Sequence, residues 1–310
     1  MNNLKKVGLT ALASSLVATS VYAGEMSVAG SASFTMENYS GTDGGKSLSM
    51  GNQLTFTGGG EMDNGMNVSL SFILDQADNA GVADGPFDSH SIAVGSDAMG
   101  TITFAGEGAS SAQNTVDTTA AGDIWDHTAW GYTNPTNADA QNTLRWTLPS
   151  MVDGLAADIS YAGSAAGVEA TIGYALTYTG VEGLSLTYGK GERGATASKA
   201  DIETLKASFA FGPVTAAMSI NDYKNDAASE ANEEQTSYMV TYAVTDELSA
   251  SFGSETVETV GGTDEEFDRI KVAYTTGGLT LSASKSNADN VDGGSSTEQS
   301  HWDLGLSFAF

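Results

Sequence analysis

An alternation of apolar and polar residues recurs along most of the chain, and it constrains the fold more than any other feature. In the first such segment Met26, Val28, Phe34 and Met36 share one parity, with small or polar residues between them. The last ten residues, HWDLGLSFAF, repeat the pattern with a large apolar residue at every second position. Successive side chains of a β-strand point to opposite faces, whereas a helix repeats every three or four residues. The sequence therefore predicts an all-β protein built from one-sided strands.

Short turns alternate with long polar connections between these segments. The short turns contain Asn-Gly, Asp-Gly or Gly-Gly steps, which supply the positive φ angles that hairpin turns need. The long connections are polar and acidic and cover residues 40–47, 76–88, 109–142, 190–201, 224–235, 258–266 and 286–298. This order predicts an antiparallel up-and-down meander with its long loops at one end. Counting the segments gives about 16 strands, an even number as in closed outer-membrane barrels.

Two architectures accommodate such a meander. A soluble sandwich or barrel would turn its apolar face inward, and a membrane barrel would turn it toward lipid. The segments run to about 9–11 residues, which is long enough for a tilted strand to cross a bilayer. Tyr and Trp fall on the apolar parity and often near segment ends, as in interfacial girdles: Tyr161, Tyr174, Tyr178, Tyr188, Tyr238, Tyr242, Tyr274 and Trp302. We therefore predict a transmembrane β-barrel surrounded by outer-membrane lipids.

Closure of the barrel explains the one-sided last segment. An unpaired strand edge in hydrocarbon costs several kcal/mol per backbone group. The final strand is therefore expected to pair with the first, Glu25 to Tyr39.

The first 23 residues have the features of a secretory signal peptide. Lys5 and Lys6 precede the apolar stretch 7–18, and Val21-Tyr22-Ala23 offers small residues around a cleavage site before Gly24. We expect residues 24–310 to form the barrel. The leader holds two of the 12 basic residues and none of the 39 acidic ones, so the remainder has 10 basic residues and a net charge of −29. Such a chain attracts cations and is not expected to bind nucleic acid.

Four segments carry a resemblance to a known family: AGEMSVAGSASFTMENY, LSMGNQLTFTGGGEMDNGMNVSLSFILD, SIAVGSDAMGTITFAGEGASSAQ and the final SFAF. They resemble general bacterial outer-membrane porins, most closely those of alphaproteobacteria. The resemblance implies a passive pore for ions and small hydrophilic solutes in the outer membrane of a Gram-negative bacterium. It also implies a homotrimer, and a terminal Phe310 that the barrel-assembly machinery recognises.

The resemblance further implies that the third loop, residues 109–142, folds into the lumen and narrows it. Family porins set this acidic loop against a basic cluster on the opposite wall. The present chain departs from that pattern, because Met50 and Asn52 stand where the family tends to place arginines, although Arg269 and Lys271 share an inward parity later on. We expect the constriction to be formed by loop acids and two wall cations, namely Asp117, Asp123, Asp126, Asp139, Lys46 and Arg145. The acidic balance predicts cation selectivity.

Motifs for cofactor binding, catalysis or metal binding are weak in this sequence. GKGERG, residues 189–194, has the glycine spacing of a dinucleotide-binding loop, but the following residues alternate like a loop and strand rather than a helix. Ser89 and His90 adjoin, yet no acid accompanies them in the context of a catalytic triad, so we expect no enzyme. The acidic segments 261–268 and 287–294 lack the spacing of a calcium loop and are expected at most to bind Ca²⁺ or Mg²⁺ weakly. No other cofactor is expected.

Other functions remain open at this level. A plugged barrel with an adhesive or structural role would share the same pattern, and a soluble acidic β-protein would share the alternation. A substrate-specific channel would ordinarily line its pore with an aromatic slide or a ladder of arginines, and the sequence contains neither.

Overall fold

The structure, a computed structural model, describes residues 25–40, 45–75, 87–106, 111–125, 130, 142–164, 169–195, 198–225, 232–291 and 298–310. These residues form sixteen strands and one 3₁₀ turn, Gln113–Thr115. The strands are β1 Glu25–Tyr39, β2 Gly45–Glu61, β3 Asn67–Asp75, β4 Phe87–Ser96, β5 Gly100–Ala105, β6 Thr143–Thr147, β7 Leu155–Ala162, β8 Thr171–Tyr178, β9 Leu184–Ala195, β10 Ser198–Phe211, β11 Val214–Asn225, β12 Glu233–Ala243, β13 Leu248–Thr259, β14 Glu265–Thr276, β15 Leu279–Asp289 and β16 Gln299–Ala309. Among the described residues, no helix has the length and apolar character needed to span a bilayer.

Every strand pairs antiparallel with its neighbours in sequence, and the sheet closes on itself. The predicted pairing of first and last strands is confirmed, in a register that runs from Tyr39 opposite His301 to Ser31 opposite Ala309. Beyond this ladder, the backbone N–H of Gly30 donates to the Phe310 carbonyl at 2.8 Å, and the Phe310 N–H donates back at 2.9 Å. The all-β prediction of about 16 strands is therefore correct, with no open edge along this seam.

The apolar parity lies on the outside of the barrel. Phe252 and Ile270 face each other across β13 and β14 and are 50% and 61% exposed. The predicted aromatic residues share this outer face, and Tyr161, Tyr174 and Tyr238 are about half exposed. A soluble β-protein would bury these side chains, so the arrangement fits contact with lipid.

The strands differ in length more than the expected range of about 9–11 residues. The strands range from 5 residues in β6 to 17 in β2. The predicted long loop at 190–201 is wrong, because β9 and β10 continue through most of it, with Lys190 opposite Glu203 and Gly194 opposite Lys199. On the outer face of this extension stand Lys190, Asp201 and Glu203, whereas Ala200 and Ile202 are buried on the inner face beside Tyr223. The alternation is therefore reversed relative to the lipid-facing part of the strands, with polar residues outside and apolar residues inside, and the backbone ladder continues.

The short turns lie where their glycines predict. Gly154 has φ 74°, and a Cβ built there would lie 2.5 Å from the backbone of Gly180 in the neighbouring turn. An L-residue would be strained at this φ and would also collide, so glycine is required at this tight end of the barrel.

Candidate pore constriction

The described part of the third loop lies inside the barrel, against the inner wall. The backbone N–H of Ala112 donates to Ser160 Oγ on β7 at 2.8 Å. Further along the loop, the N–H groups of Ala120 and Ala121 both donate to Ser237 Oγ on β12, at 2.9 and 2.8 Å. The loop therefore crosses a large part of the wall between these two strands, and its backbone is satisfied by side chains of the lumen face.

A buried carboxylate fastens the far end of this crossing. Glu255 points inward from β13 and is fully buried. Its Oε2 accepts the backbone N–H of Ile124 at 2.6 Å and of Trp125 at 3.1 Å, and its Oε1 accepts the Ser237 hydroxyl at 3.2 Å. A buried charge needs such partners, because desolvation alone would be costly. The loop backbone thus supplies the environment that Glu255 requires, and Glu255 holds the loop in return.

Two wall cations bind the same segment of loop. Lys206 Nζ, on β10, donates to Asp117 Oδ2 and to the Thr119 carbonyl, each at 2.6 Å. Arg269, on β14, donates through Nη2 to the carbonyls of Ala121 and Gly122. Both cations are therefore bound to oxygen atoms of the loop.

An apolar cluster completes the attachment. Trp130 packs on Phe267 with ring centroids 5.4 Å apart. A glycine on the wall lets the loop approach closely, because a Cβ at Gly253 would lie 2.7 Å from the Ala121 Cβ. The cluster comprises Ala121, Ile124, Trp125, Trp130, Val257, Phe267, Ala288 and Val291. Ile124, Trp125 and Trp130 are all buried in this cluster.

The loop presents a narrow set of side chains to the open lumen. Thr115, Asp117 and Asp123 are exposed, whereas Val116, Thr118 and Ile124 are buried. Asp123 has a positive φ of 51° and follows Gly122, whose φ is 82°. Thr119 Oγ1 accepts the N–H groups of both residues, at 2.7 Å from Gly122 and 2.9 Å from Asp123, and so holds this tight turn. Two carboxyl side chains therefore lie on the lumen side of the loop.

The structure places only some of the residues expected at the constriction on the loop or on the lumen wall. Asp117 and Asp123 share the exposed side of the loop. Arg145 points inward from β6, where its Nε lies 3.8 Å from Asp158 Oδ1. Lys46 lies opposite Asn38 at the start of β2, on the outward parity, so the structure does not bring it to the loop. Asp126 and Asp139 lie outside the described residues.

The second strand cannot carry the family's wall cations at the two compared positions. Met50 lies opposite Phe34, and Asn52 lies opposite Ala32, all on the outer face. In the described parts of β1–β5 no Lys or Arg points into the lumen. The inward positions of these strands are mainly hydroxyls and amides: Ser31, Ser33, Thr35, Ser47, Ser49, Gln53, Thr55, Ser69, Ser71, Ser91, Thr101 and Thr103.

Three residues that fasten the loop were not predicted from the sequence. Glu255, Ser237 and Lys206 lie on inward parities, and Glu255 interrupts the apolar and small residues around it in SFGSETVET. A charged residue on the inner parity of a long strand was the available signal. The loop residues that Glu255 binds could not be predicted from the sequence, because Glu255 and Trp125 are 130 positions apart. Within the described residues no group of three or more acidic, His or Cys side chains could hold a metal ion.

Comparison with known proteins decides the family. The family model described as Gram-negative porin matches residues 8–275. The chain belongs to this family. The porin therefore forms a diffusion pore in the outer membrane, as its motifs and its closed barrel predict. No protein with a curated function is similar to it by sequence.

Solved structures share the fold at low sequence identity. An anion-selective porin from Comamonas acidovorans superposes with a TM-score of 0.74 and 14% identity, over 93% of this porin and 100% of that chain. A triple mutant of the Rhodopseudomonas blastica porin gives 0.70 and 14%, over 92% and 100%. OmpT of Vibrio cholerae, in trimer form, gives 0.69 and 12%, over 93% and 100%. At these identities the likeness establishes the barrel only.

Proposed function

We propose that this porin is a passive pore with a preference for cations, in which the third loop forms the constriction. The observation that supports this most directly is the exposed face of the loop, which presents Asp117 and Asp123 to the lumen. The wall cations nearest to the loop, Lys206 and Arg269, are engaged by loop oxygens. Acidic side chains at a narrow aqueous passage raise the local concentration of cations and lower that of anions.

The described inner face of β1–β5 adds no basic charge that would oppose the loop acids. Hydroxyl and amide groups dominate the inner face of β1–β5, and no basic side chain of its described residues points inward. We expect ions and small hydrophilic solutes to pass between this neutral wall and the acidic loop. The Comamonas porin is described as anion-selective. Its selectivity does not transfer at 14% identity, because side chains rather than the barrel set the sign of the field.

The test is the reversal potential of single channels in a planar bilayer with a KCl gradient. For the natural chain we expect a reversal potential with the sign of a cation-selective channel. In Asp123→Asn the cation-over-anion permeability ratio should decrease about threefold at low salt. The reason is that one charge a few ångströms from a passing ion changes its interaction energy in water by about 1 kcal/mol. Asp201→Asn removes an equivalent charge from the outer face of β10 and should leave the ratio unchanged. An anion sign, or equal effects of the two variants, would contradict the proposal. Folded protein with no conductance would instead favour a plugged barrel.

We also propose that three copies associate through the outer face of β1–β4. The outward Tyr and Trp side chains lie on later strands, such as Tyr161 on β7, Tyr238 on β12 and Trp302 on β16. The described outer positions of β1–β5 include neither Tyr nor Trp, and Asn52 places an amide among apolar neighbours there. A face that lacks the interfacial girdle is better suited to another protein surface than to lipid. The trimer form of OmpT, which has a similar fold, supports the same stoichiometry.

A further inference from the structure

One lumen cation is bound to an acid of the constriction itself. Lys206 Nζ lies 2.6 Å from Asp117 Oδ2. The other carboxylate oxygen of Asp117 accepts the backbone N–H of Thr119 at 3.1 Å, so both oxygens are engaged. The lysine side chain is 23% exposed and the aspartate side chain 58% exposed. The pair therefore lies at the boundary between the loop and the open lumen, with its acidic member toward the water.

Such a pair reduces the field that the loop exerts on passing ions. At 2.6 Å the two charges act on an ion several ångströms away as a dipole, whose field decreases faster with distance than that of a single charge. Arg269 differs in this respect, because its partners are the backbone carbonyls of Ala121 and Gly122 rather than an acid. Arg145 has its acidic partner on the wall itself, with Arg145 Nε 3.8 Å from Asp158 Oδ1. Lys206 is thus an inward cation that is ion-paired to an exposed acid of the loop.

We infer that Lys206 sets the strength of the pore's selectivity by cancelling the charge of Asp117 at the exposed face of the third loop. The inference rests on the proposed cation-preferring pore but makes a separate claim. Lys206 lowers the cation preference to a value below the one that two uncompensated loop carboxylates would give. Asp117 without Lys206 would attract cations, and Lys206 without Asp117 would attract anions.

The experiment is a set of four channels measured by reversal potential in a KCl gradient: the natural chain, Lys206→Met, Asp117→Asn and the double variant. We expect Lys206→Met to raise the cation-over-anion permeability ratio about two- to fourfold at 0.1 M salt, and the increase to shrink at 1 M, where the Debye length falls to about 3 Å. Asp117→Asn should shift the ratio in the opposite direction. The double variant should return close to the natural value, because both charges have been removed together.

Two controls separate charge from structure. Lys206→Arg keeps the charge and should keep the selectivity, even if the altered head group changes the conductance. Lys224→Met removes a lysine from the outer face of β11, where Lys224 Nζ lies 3.8 Å from Asp222 Oδ2, and should have no effect on the ratio. A role of Lys206 in holding the loop alone would change conductance in Lys206→Met and would leave the double variant as altered as that single variant.

The outcomes for this inference differ from those for the proposed function. The sign of the natural channel tests the cation preference, whereas the differences among variants test the pairing. A nonselective natural channel with opposite shifts in the two single variants would overturn the preference and support the pairing. Unchanged reversal potentials in Lys206→Met and Lys206→Gln, with folded channels of normal conductance, would overturn the pairing. Failure of the double variant to approach the natural ratio would do the same.

Discussion

At the scale of single residues, the position of the loop depends on polar groups that serve the lumen wall and the loop together. Glu255 accepts two loop N–H groups and the Ser237 hydroxyl inside a site from which water is excluded. Leaving buried donors without an acceptor costs about 1–3 kcal/mol each. The free energy that fixes the loop is therefore concentrated in this carboxylate more than in any exposed contact.

Glu255→Ala should release the end of the loop while the barrel stays closed. The variant leaves the N–H groups of Ile124 and Trp125 without their acceptor, at a cost of about 2–6 kcal/mol in total, and the loop is expected to leave the wall rather than bear that cost. Single-channel recordings should show altered conductance with frequent transitions between levels, and protease should cut the loop in intact barrels. Glu258→Ala removes an acid from the outward parity of the same strand and should leave both readouts unchanged. A quiet channel of natural conductance in Glu255→Ala would mean that the apolar cluster alone holds the loop.

At the scale of elements, the sequence predicted strands wherever lipid imposes a period of two. The bounds of β1 agree with the prediction at both ends, and β16 is the segment predicted from HWDLGLSFAF. The prediction was wrong at 190–201, where β9 and β10 project beyond the apolar zone with charged residues on the outer face and Ala200 and Ile202 buried on the inner face. Lys46 lay on the outward parity of Leu48 all along, so parity alone could have removed it from the lumen. Periodicity is informative about which face a residue takes, but the outer face becomes polar where the strands extend beyond the apolar zone.

The seam between β1 and β16 depends on a glycine that makes room for the terminal ring. A Cβ on Gly30 would lie 2.4 Å from the Phe310 ring, which also stacks on Phe308 at 5.8 Å between centroids. Gly30→Val should displace the Phe310 ring from the seam and destabilise the folded barrel by about 1 kcal/mol, at the low end of the cost of overpacking because the displaced ring is exposed. The temperature at which the folded gel band converts to the unfolded band should fall.

Gly58→Val is the matched control, because a Cβ at Gly58 meets nothing within 4 Å on the neighbouring strand. Both substitutions add the same side chain to the outward parity. Equal conversion temperatures for the two variants would show that the contact of Phe310 with Gly30 contributes nothing to closure.

At the scale of the whole molecule, the barrel followed from the sequence, whereas the path of the third loop along the wall did not. The acids Asp117 and Asp123 were expected from their place in a long loop, and both are exposed in the lumen. The loop's path was not predictable, since its partners Ser160, Ser237 and Glu255 lie 48 to 131 residues away along the chain. Local periodicity does not indicate which part of the wall a loop will follow. The path is determined by hydrogen bonds between the loop backbone and inward side chains that are distant in the sequence.

The outer surface leads to a prediction about assembly. If the face of β1–β4 is buried between copies, an arginine placed there must be desolvated against protein, whereas one placed on a lipid-facing strand can extend toward the headgroups. Ala32→Arg, on β1, should therefore convert the trimer to monomers in detergent, as judged by light scattering on the eluted particle. Ala250→Arg adds the same charge to the outward parity of β13 and should remain trimeric, with a similar loss of barrel stability of about 2–4 kcal/mol at most. A trimer that persists in Ala32→Arg and dissociates in Ala250→Arg would place the contact on the face bearing the tyrosines. In that case the absence of Tyr and Trp from the described outer positions of β1–β5 would need a cause other than subunit contact.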